Sequence, residues 1–195
     1  VSGTGTPQLA LSIGSDTRQA SYASGSGTTS LVFSYTIQQG DNDSDGIAVG
    51  ALSLNGGTLT DAVGNALNLT LAGVGDTSGV LADTMAPGVP AISLSGKVVT
   101  VTGESAGTLT IKDGATDVTA KFIVAETAGT YTATAKDGQF DGSENLSLTA
   151  TLTDLAGNES PAAAAVSGAI DTTAPSTPTA SSSGNVLTVI GESGG

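Results

Sequence analysis

Residues 41–46 read DNDSDG, three aspartates at alternate positions closed by a glycine. Carboxylate oxygens at that spacing can converge on one hard cation, and the glycine lets the chain turn sharply around it. The first half of an EF-hand loop has the same spacing. An EF-hand also needs a bidentate Glu near its twelfth position and a helix on either side. Here the twelfth position is Leu52, and the flanks, LVFSYTIQQG and IAVGALSLNGG, are rich in β-formers. The loop is therefore no EF-hand, and Asp41, Asp43 and Asp45 are candidate calcium ligands of another kind. The competing reading is a solvated acidic turn facing the medium.

Little else in the chain could do chemistry. It has no His and no Cys, so the usual general bases, zinc ligands and thiol nucleophiles are missing. Carboxylate pairs can hydrolyse glycosides, but sugar clefts carry aromatic platforms. The rings here are only Tyr22, Phe33, Tyr35, Phe122, Tyr131 and Phe140. The serines of SSSG (181–184) have no base nearby and read as a turn. The Thr-x-Thr stretches are too short for an ice-binding array. Eighteen acids against five bases give a net charge of −13. That excludes a nucleic-acid surface and electrostatic docking on anionic lipid, and it makes divalent cations the natural counter-ions. No apolar run is long enough to span a bilayer, and no signal peptide opens the sequence. Val1 is not an initiator Met, so the 195 residues read as a piece of something longer. The missing cysteines fit the cytosol, or a chain that is exported unfolded and folds outside.

The elements that must position these acids are strands. LSLTATLT (146–153) alternates strictly, with Leu146, Leu148, Ala150 and Leu152 on one side and Ser and Thr on the other. With AISLS (91–95), VVTVTG (98–103), LTIK (109–112), VTAKFIVAE (118–126), TYTATAK (130–136) and AAAAVSGAI (162–170), it predicts seven short strands. Gly, Asn and Asp punctuate them, the pattern of an antiparallel sandwich. Upstream, LALSI, LVFSYTI and LNLTL predict further strands, with Leu9, Leu11, Ile13, Leu31, Phe33, Tyr35 and Ile37 facing inward.

The chain also repeats itself. Asp83–Gly107, DTMAPGVPAISLSGKVVTVTGESAG, aligns without a gap on Asp171–Gly195, DTTAPSTPTASSSGNVLTVIGESGG, at an offset of 88 residues. TDAVGN (60–65) and TDLAGN (153–158) each precede one of the Asp-Thr boundaries. This divides the chain into a diverged unit 1–82, a repeat 83–170 and the opening of a third unit, 171–195.

The DTxAP boundary, the DLAGN turn and the acidic, Cys-free unit of about ninety residues resemble the bacterial immunoglobulin-like repeats of giant type I secreted, RTX-type surface adhesins. The stretches YASGSGTTSLVFSYTI, GDNDSDGI and LNGGTLTDAVGN of the first unit are similar to another immunoglobulin-like or cadherin-like subtype found in those proteins. The resemblance implies tandem immunoglobulin-like antiparallel β-sandwich domains in an extended array. Such a stalk is non-catalytic, is rigidified by Ca2+ and projects a distal adhesive domain at the bacterial cell surface, in adhesion and biofilm formation. The partners would be neighbouring domains of the same chain and calcium ions, with no nucleic acid and no membrane insertion, around a monomeric protein.

Up-and-down alternation of seven strands across two sheets supplies a place for the ions. It puts Asp154 (in DLAGN) and Glu104 (in GES) at the end of the second unit where Asp83 enters. It sets up Asp171 and Glu192 in the same way one repeat later. Asp137, Asp141 and Glu144 of KDGQFDGSEN can approach the following linker from the opposite end. Asp61 and Asp76 complete the candidate calcium ligands. Ala-Pro at 86–87 and 174–175, with Pro90 and Pro178, stiffens the linkers. Asp-Gly and Gly-Asn are equally the ordinary residues of tight turns, and Asp113 and Asp117 read that way. The other functional reading is a calcium-dependent sugar- or peptide-binding module of the same adhesin, centred on DNDSDG.

Overall fold

The computed structural model describes residues 2–191, with side chains from residue 5 onward. Glu192 lies outside the described residues. The fold is all-β, of antiparallel sheets, and divides into two compact units, Val1–Met85 and Ala86–Gly195.

In the first unit, β1 (Ser2–Thr4) is followed by β2 (Gln8–Ile13), β3 (Asp16–Ser24), β4 (Val32–Ser34), β5 (Ala48–Ser53) and β6 (Thr58–Thr60). The middle four form one sheet in the order β4-β3-β2-β5, and β1 pairs with β6. Ile13 is buried with Ile47 and Ala82, and Leu11 and Tyr35 pack against them. The strand expected over LVFSYTI shortens to Val32–Ser34, and Ile37 is 41% exposed. Past Ser34 the chain bends to carry Asp41 and Asp43 inward, and their side-chain hydrogen bonds to backbone replace the ladder. LNLTL forms no strand. Its Leu67 N–H donates to the Leu59 carbonyl (2.8 Å), and Leu67 and Leu69 are half-buried, so the alternation there records burial rather than pairing.

The second unit is an immunoglobulin-like sandwich. Its strands are β7 (Ala91–Ser95), β8 (Val98–Thr102), β9 (Thr108–Asp113), β10 (Thr116–Asp117), β11 (Phe122–Thr127), β12 (Thr130–Ala135), β13 (Leu146–Thr153) and β14 (Val166–Gly168). One sheet runs β11-β12-β8-β7 and the other β10-β9-β13-β14. The inner faces meet in a single core, with Val99, Val101, Tyr131 and Ala133 from one sheet and Ile111, Leu148, Ala150 and Leu152 from the other. Each large aliphatic side chain buried there contributes about 1.5–3 kcal/mol. Tyr131, 1% exposed, pins the two sheets together. Its hydroxyl donates to the Glu104 carbonyl (2.8 Å) and accepts the Gly107 N–H (2.9 Å) in the crossover from β8 to β9.

The pairing register fixes which turns share an end. Ala91 pairs with Thr102 and Thr108 with Thr153, so the 103–107 and 154–158 turns and the start of β7 lie together. β15 (Thr179–Ser183) and β16 (Val186–Ile190) form a separate hairpin. They stand 88 residues beyond β7 and β8, and Thr179 pairs with Ile190 as Ala91 does with Thr102.

Candidate functional site

The DNDSDG loop sits where three parts of the first unit meet, and its first two aspartates turn inward. Asp41 is fully buried and Asp43 is 6% exposed, whereas Asp45 lies at the surface. The Asp41 carboxylate accepts from Arg18 Nε (2.6 Å), the Tyr35 hydroxyl (2.7 Å) and the Gln38 N–H (2.7 Å). Arg18 Nη2 also lies 3.0 Å from Asp16. Asp43 accepts from the N–H groups of Gly14 (2.7 Å), Gly46 (2.6 Å) and Asp45 (3.2 Å). Between them, the Asn42 side-chain oxygen accepts the Thr84 N–H (2.8 Å). Gly46 is obligatory here. Its φ is +112°, and a Cβ would come within 2.5 Å of the Thr77 carbonyl oxygen and Ser78 Cα.

These donors set the charge state. The Gln38 N–H, then Tyr35 and Arg18, hold the Asp41 carboxyl below its ordinary value, against the opposing effect of burial. The Gly14 N–H, with Gly46 and Asp45, does the same for Asp43. Pairing with Asp41 raises the Arg18 guanidinium, and burial is the main reason the Tyr35 phenol is raised. Both aspartates are therefore ionised at neutral pH.

Elsewhere the candidate acids cap turns. Asp76, Asp83, Asp141 and Asp171 each accept the N–H two residues on, from Ser78, Met85, Ser143 and Thr173 at 2.9–3.0 Å. That is the Asx-turn, in which the side chain imitates a backbone carbonyl. Asp61 and Asp154 close the two TDxxGN turns in the same way. Asn65 offers its backbone N–H (2.8 Å) and Nδ2 (2.7 Å) to Asp61, and Asn158 offers the same groups to Asp154 at 2.8 and 2.9 Å. Gly64 and Gly157 take matching left-handed φ values of 92° and 93°. In each case the Asn side chain is the leading cause of a lowered aspartate pKa. Glu104 and Asp154 occupy turns at one end of the second unit, as the strand alternation predicts. Asp137 is 93% exposed at its side chain, 3.9 Å from Lys97 Nζ.

The Asp-Thr boundary residues complete the picture. Ala82 pairs with Asp43, and Asp171 pairs with Asp141. Thr84 Oγ1 accepts the Gly40 N–H (2.9 Å), and Thr172 Oγ1 accepts those of Gln139 and Phe140 (both 3.1 Å). The boundary threonines, 88 positions apart, thus each help to close a unit onto its own acidic loop, while the bridging residue differs, Ala82 in one and Asp171 in the other. Asp83 and Thr84 belong with the first unit, which ends at Met85. Replacing Thr172 with Val keeps the shape and takes the acceptor from the part-buried Phe140 N–H and from the exposed Gln139 N–H, which water can satisfy. A loss of about 0.5–1.5 kcal/mol is expected, read in chemical denaturation of the second unit. A loss below a few tenths of a kcal/mol would mean that Thr172 does not close it.

The donor set can be weighed against the calcium that the resemblance implies. Calcium takes six to eight oxygens and no N–H groups. Asp41 already holds three donors on two oxygens, one of them cationic, and Asp43 holds three N–H groups. An ion among them would have to displace these partners, so the inner half of DNDSDG does not fit calcium. Among the described residues, no three acids are grouped so as to hold a metal ion. Arg18, Tyr35, Thr84, Thr172, Asn65 and Asn158 were not legible as partners from motif spacing. Two signals did point to them: Arg18 is the one basic residue before Lys97, and Thr follows Asp at both boundaries.

The first unit also contains a hollow of about 470 Å³ beside Leu9, Leu31, Phe33, Leu52, Leu71 and Val74. Thr29 is the only polar side chain in its wall. Sugar hydroxyls would find almost no partners there.

Residues 85–168 match the family model described as bacterial Ig domain. The match supports a bacterial Ig-like domain over the second unit and does not extend to the first. No curated protein and no solved structure matches the chain. Bacterial Ig domains are typically extracellular or surface-exposed and generally non-catalytic, and no described helix is long and apolar enough to cross a membrane.

Proposed function

We propose that this chain is a non-catalytic spacer segment of a large bacterial surface adhesin, in which repeated Ig-like units supply length between the cell and a distal adhesive domain. One observation carries the reading. Both units are closed by the same parts, a boundary threonine (Thr84 or Thr172) docked on an acidic loop and a TDxxGN turn, while the loops between them differ. Selection for a binding site would keep a loop and its pocket, whereas selection for a spacer keeps the parts that hold a unit shut. The partners are then the neighbouring domains of the same chain. The closures are hydrogen bonds and one ion pair, so the spacer role does not depend on calcium within either unit.

Single-molecule pulling on the chain tests this. Two discrete unfolding events are expected, each releasing about 3.3–3.6 Å per residue of its unit. A parallel screen on sugar and peptide arrays should show no saturable binding. Binding that is lost on altering the first unit would instead establish the ligand-binding reading. Extension without discrete events would remove the mechanical one.

A further inference from the structure

The first unit is acidic out of proportion to its bases. Residues 1–85 carry Asp16, Asp41, Asp43, Asp45, Asp61, Asp76 and Asp83, no Glu, and a single cationic side chain, Arg18. That one cation is not spread over the surface. It is committed to the most deeply buried acid, with Nε 2.6 Å from Asp41 Oδ1, while Nη2 reaches Asp16 at 3.0 Å. Tyr35 and Gln38 fill the other Asp41 oxygen. Among the described residues, no buried side-chain polar atom is left without a hydrogen-bond partner.

We propose that the Arg18 guanidinium is the resident counter-ion of the DNDSDG loop, standing where the spacing of the aspartates would place calcium, so that the first unit folds and stays closed without a divalent cation. The guanidinium is suited to this. It is ionised at every accessible pH, is less strongly hydrated than a metal ion, and offers fixed N–H groups that a carboxylate can accept. It also does what a metal would do for topology. Through Asp41 it joins the β2–β3 hairpin to the Tyr35–Gln38 bend. Asn42 and Asp43 carry the connection on to Thr84, Ala82 and the Gly14 turn. Any calcium taken up by the chain binds away from Asp41 and Asp43.

The test uses the whole chain, isotope-labelled, with calcium alone as the probe. The Arg18 Nε–H and the amides of Gly14, Gln38 and Gly46 each donate to one of the two buried carboxylates, so their NMR signals report on the loop directly. Adding millimolar calcium to the chelated protein is expected to leave these four signals in place, whatever it does to signals elsewhere. Saturable shifts of the three amides, with loss of the Arg18 Nε–H signal, would overturn the proposal. Arg18→Gln is the second arm. The variant should melt well below the parent in its first unit, or fail to fold that unit, with the second unit's signals unchanged. A variant that melts like the parent in chelator would show that the loop needs no guanidinium, and would overturn the proposal independently.

Discussion

Replacing Phe140 with Ala is expected to cost the second unit about 3–5 kcal/mol, the usual loss when a buried aromatic is truncated. Phe140 is 2% exposed. Its ring lies 5.5 Å from that of Phe122, and Lys121 Nζ sits 4.7 Å from its centroid. Its backbone carbonyl accepts the Thr172 N–H (3.0 Å). The side chain therefore anchors in the core the same loop that receives the closing Asp171–Thr173 segment. The loss should be seen in denaturant unfolding of the second unit, with hydrogen exchange rising first at Gly138, Phe140 and Thr172. A cost under about 1 kcal/mol would mean that the loop is held by its backbone alone.

Asp41→Ala is the counterpart in the first unit and should be its most damaging single acid substitution. It leaves the Tyr35 hydroxyl and the Gln38 N–H without their acceptor and Arg18 with only the exposed Asp16 as partner, and removing the buried member of an ion pair destabilises more than the pair stabilises. The first-unit transition should fall sharply or vanish while the second persists. Asp45→Ala, at the exposed end of the same loop, should change little. Equal effects from the two would remove the distinction between the inner and outer acids. Acid should act like Asp41→Ala. The folded pKa values of Asp41 and Asp43 lie below their unfolded ones, so their contribution is fully present above about pH 4. It is lost as pH falls through the folded values. Asp117, Asp141 and Asp154 of the second unit are lowered too, but they hold surface turns, whereas Asp41 and Asp43 are buried, so a pH titration should unfold the first unit first. Coincident acid transitions in the two units would argue against it.

The fold of the second unit was legible because most of its strands alternate cleanly, although VTAKFIVAE divides into a 3-10 turn at Thr119–Lys121 and β11, and AAAAVSGAI shortens to Val166–Gly168. LSLTATLT is β13 residue for residue, and AISLS is β7. The first unit was less legible because polar groups, not apolar alternation, organise it. LVFSYTI has the period of a long strand, but the chain beyond Ser34 is drawn aside by Asp41. The candidate acids were legible as a set, since clustered carboxylates stand out in any composition. Their partners were not. An Asx-turn and a cation ligand have the same residue signature, and what separates them is which donors the fold delivers. Arg18 lies 23 positions from Asp41, and no local spacing rule connects the two.

The docking of Thr172 onto Phe140 has a consequence for where such a chain can be divided. A segment cut from Asp83 to Ile170 and produced alone would lack Thr172 and leave its own last loop unlatched. A segment cut from Ala86 to Thr173 has the same length and keeps Thr172 with Phe140. In a tandem array the next copy supplies the missing threonine, so the phase of the cut matters only to a module that stands alone. Such a module is self-sufficient when it is cut at Ala-Pro.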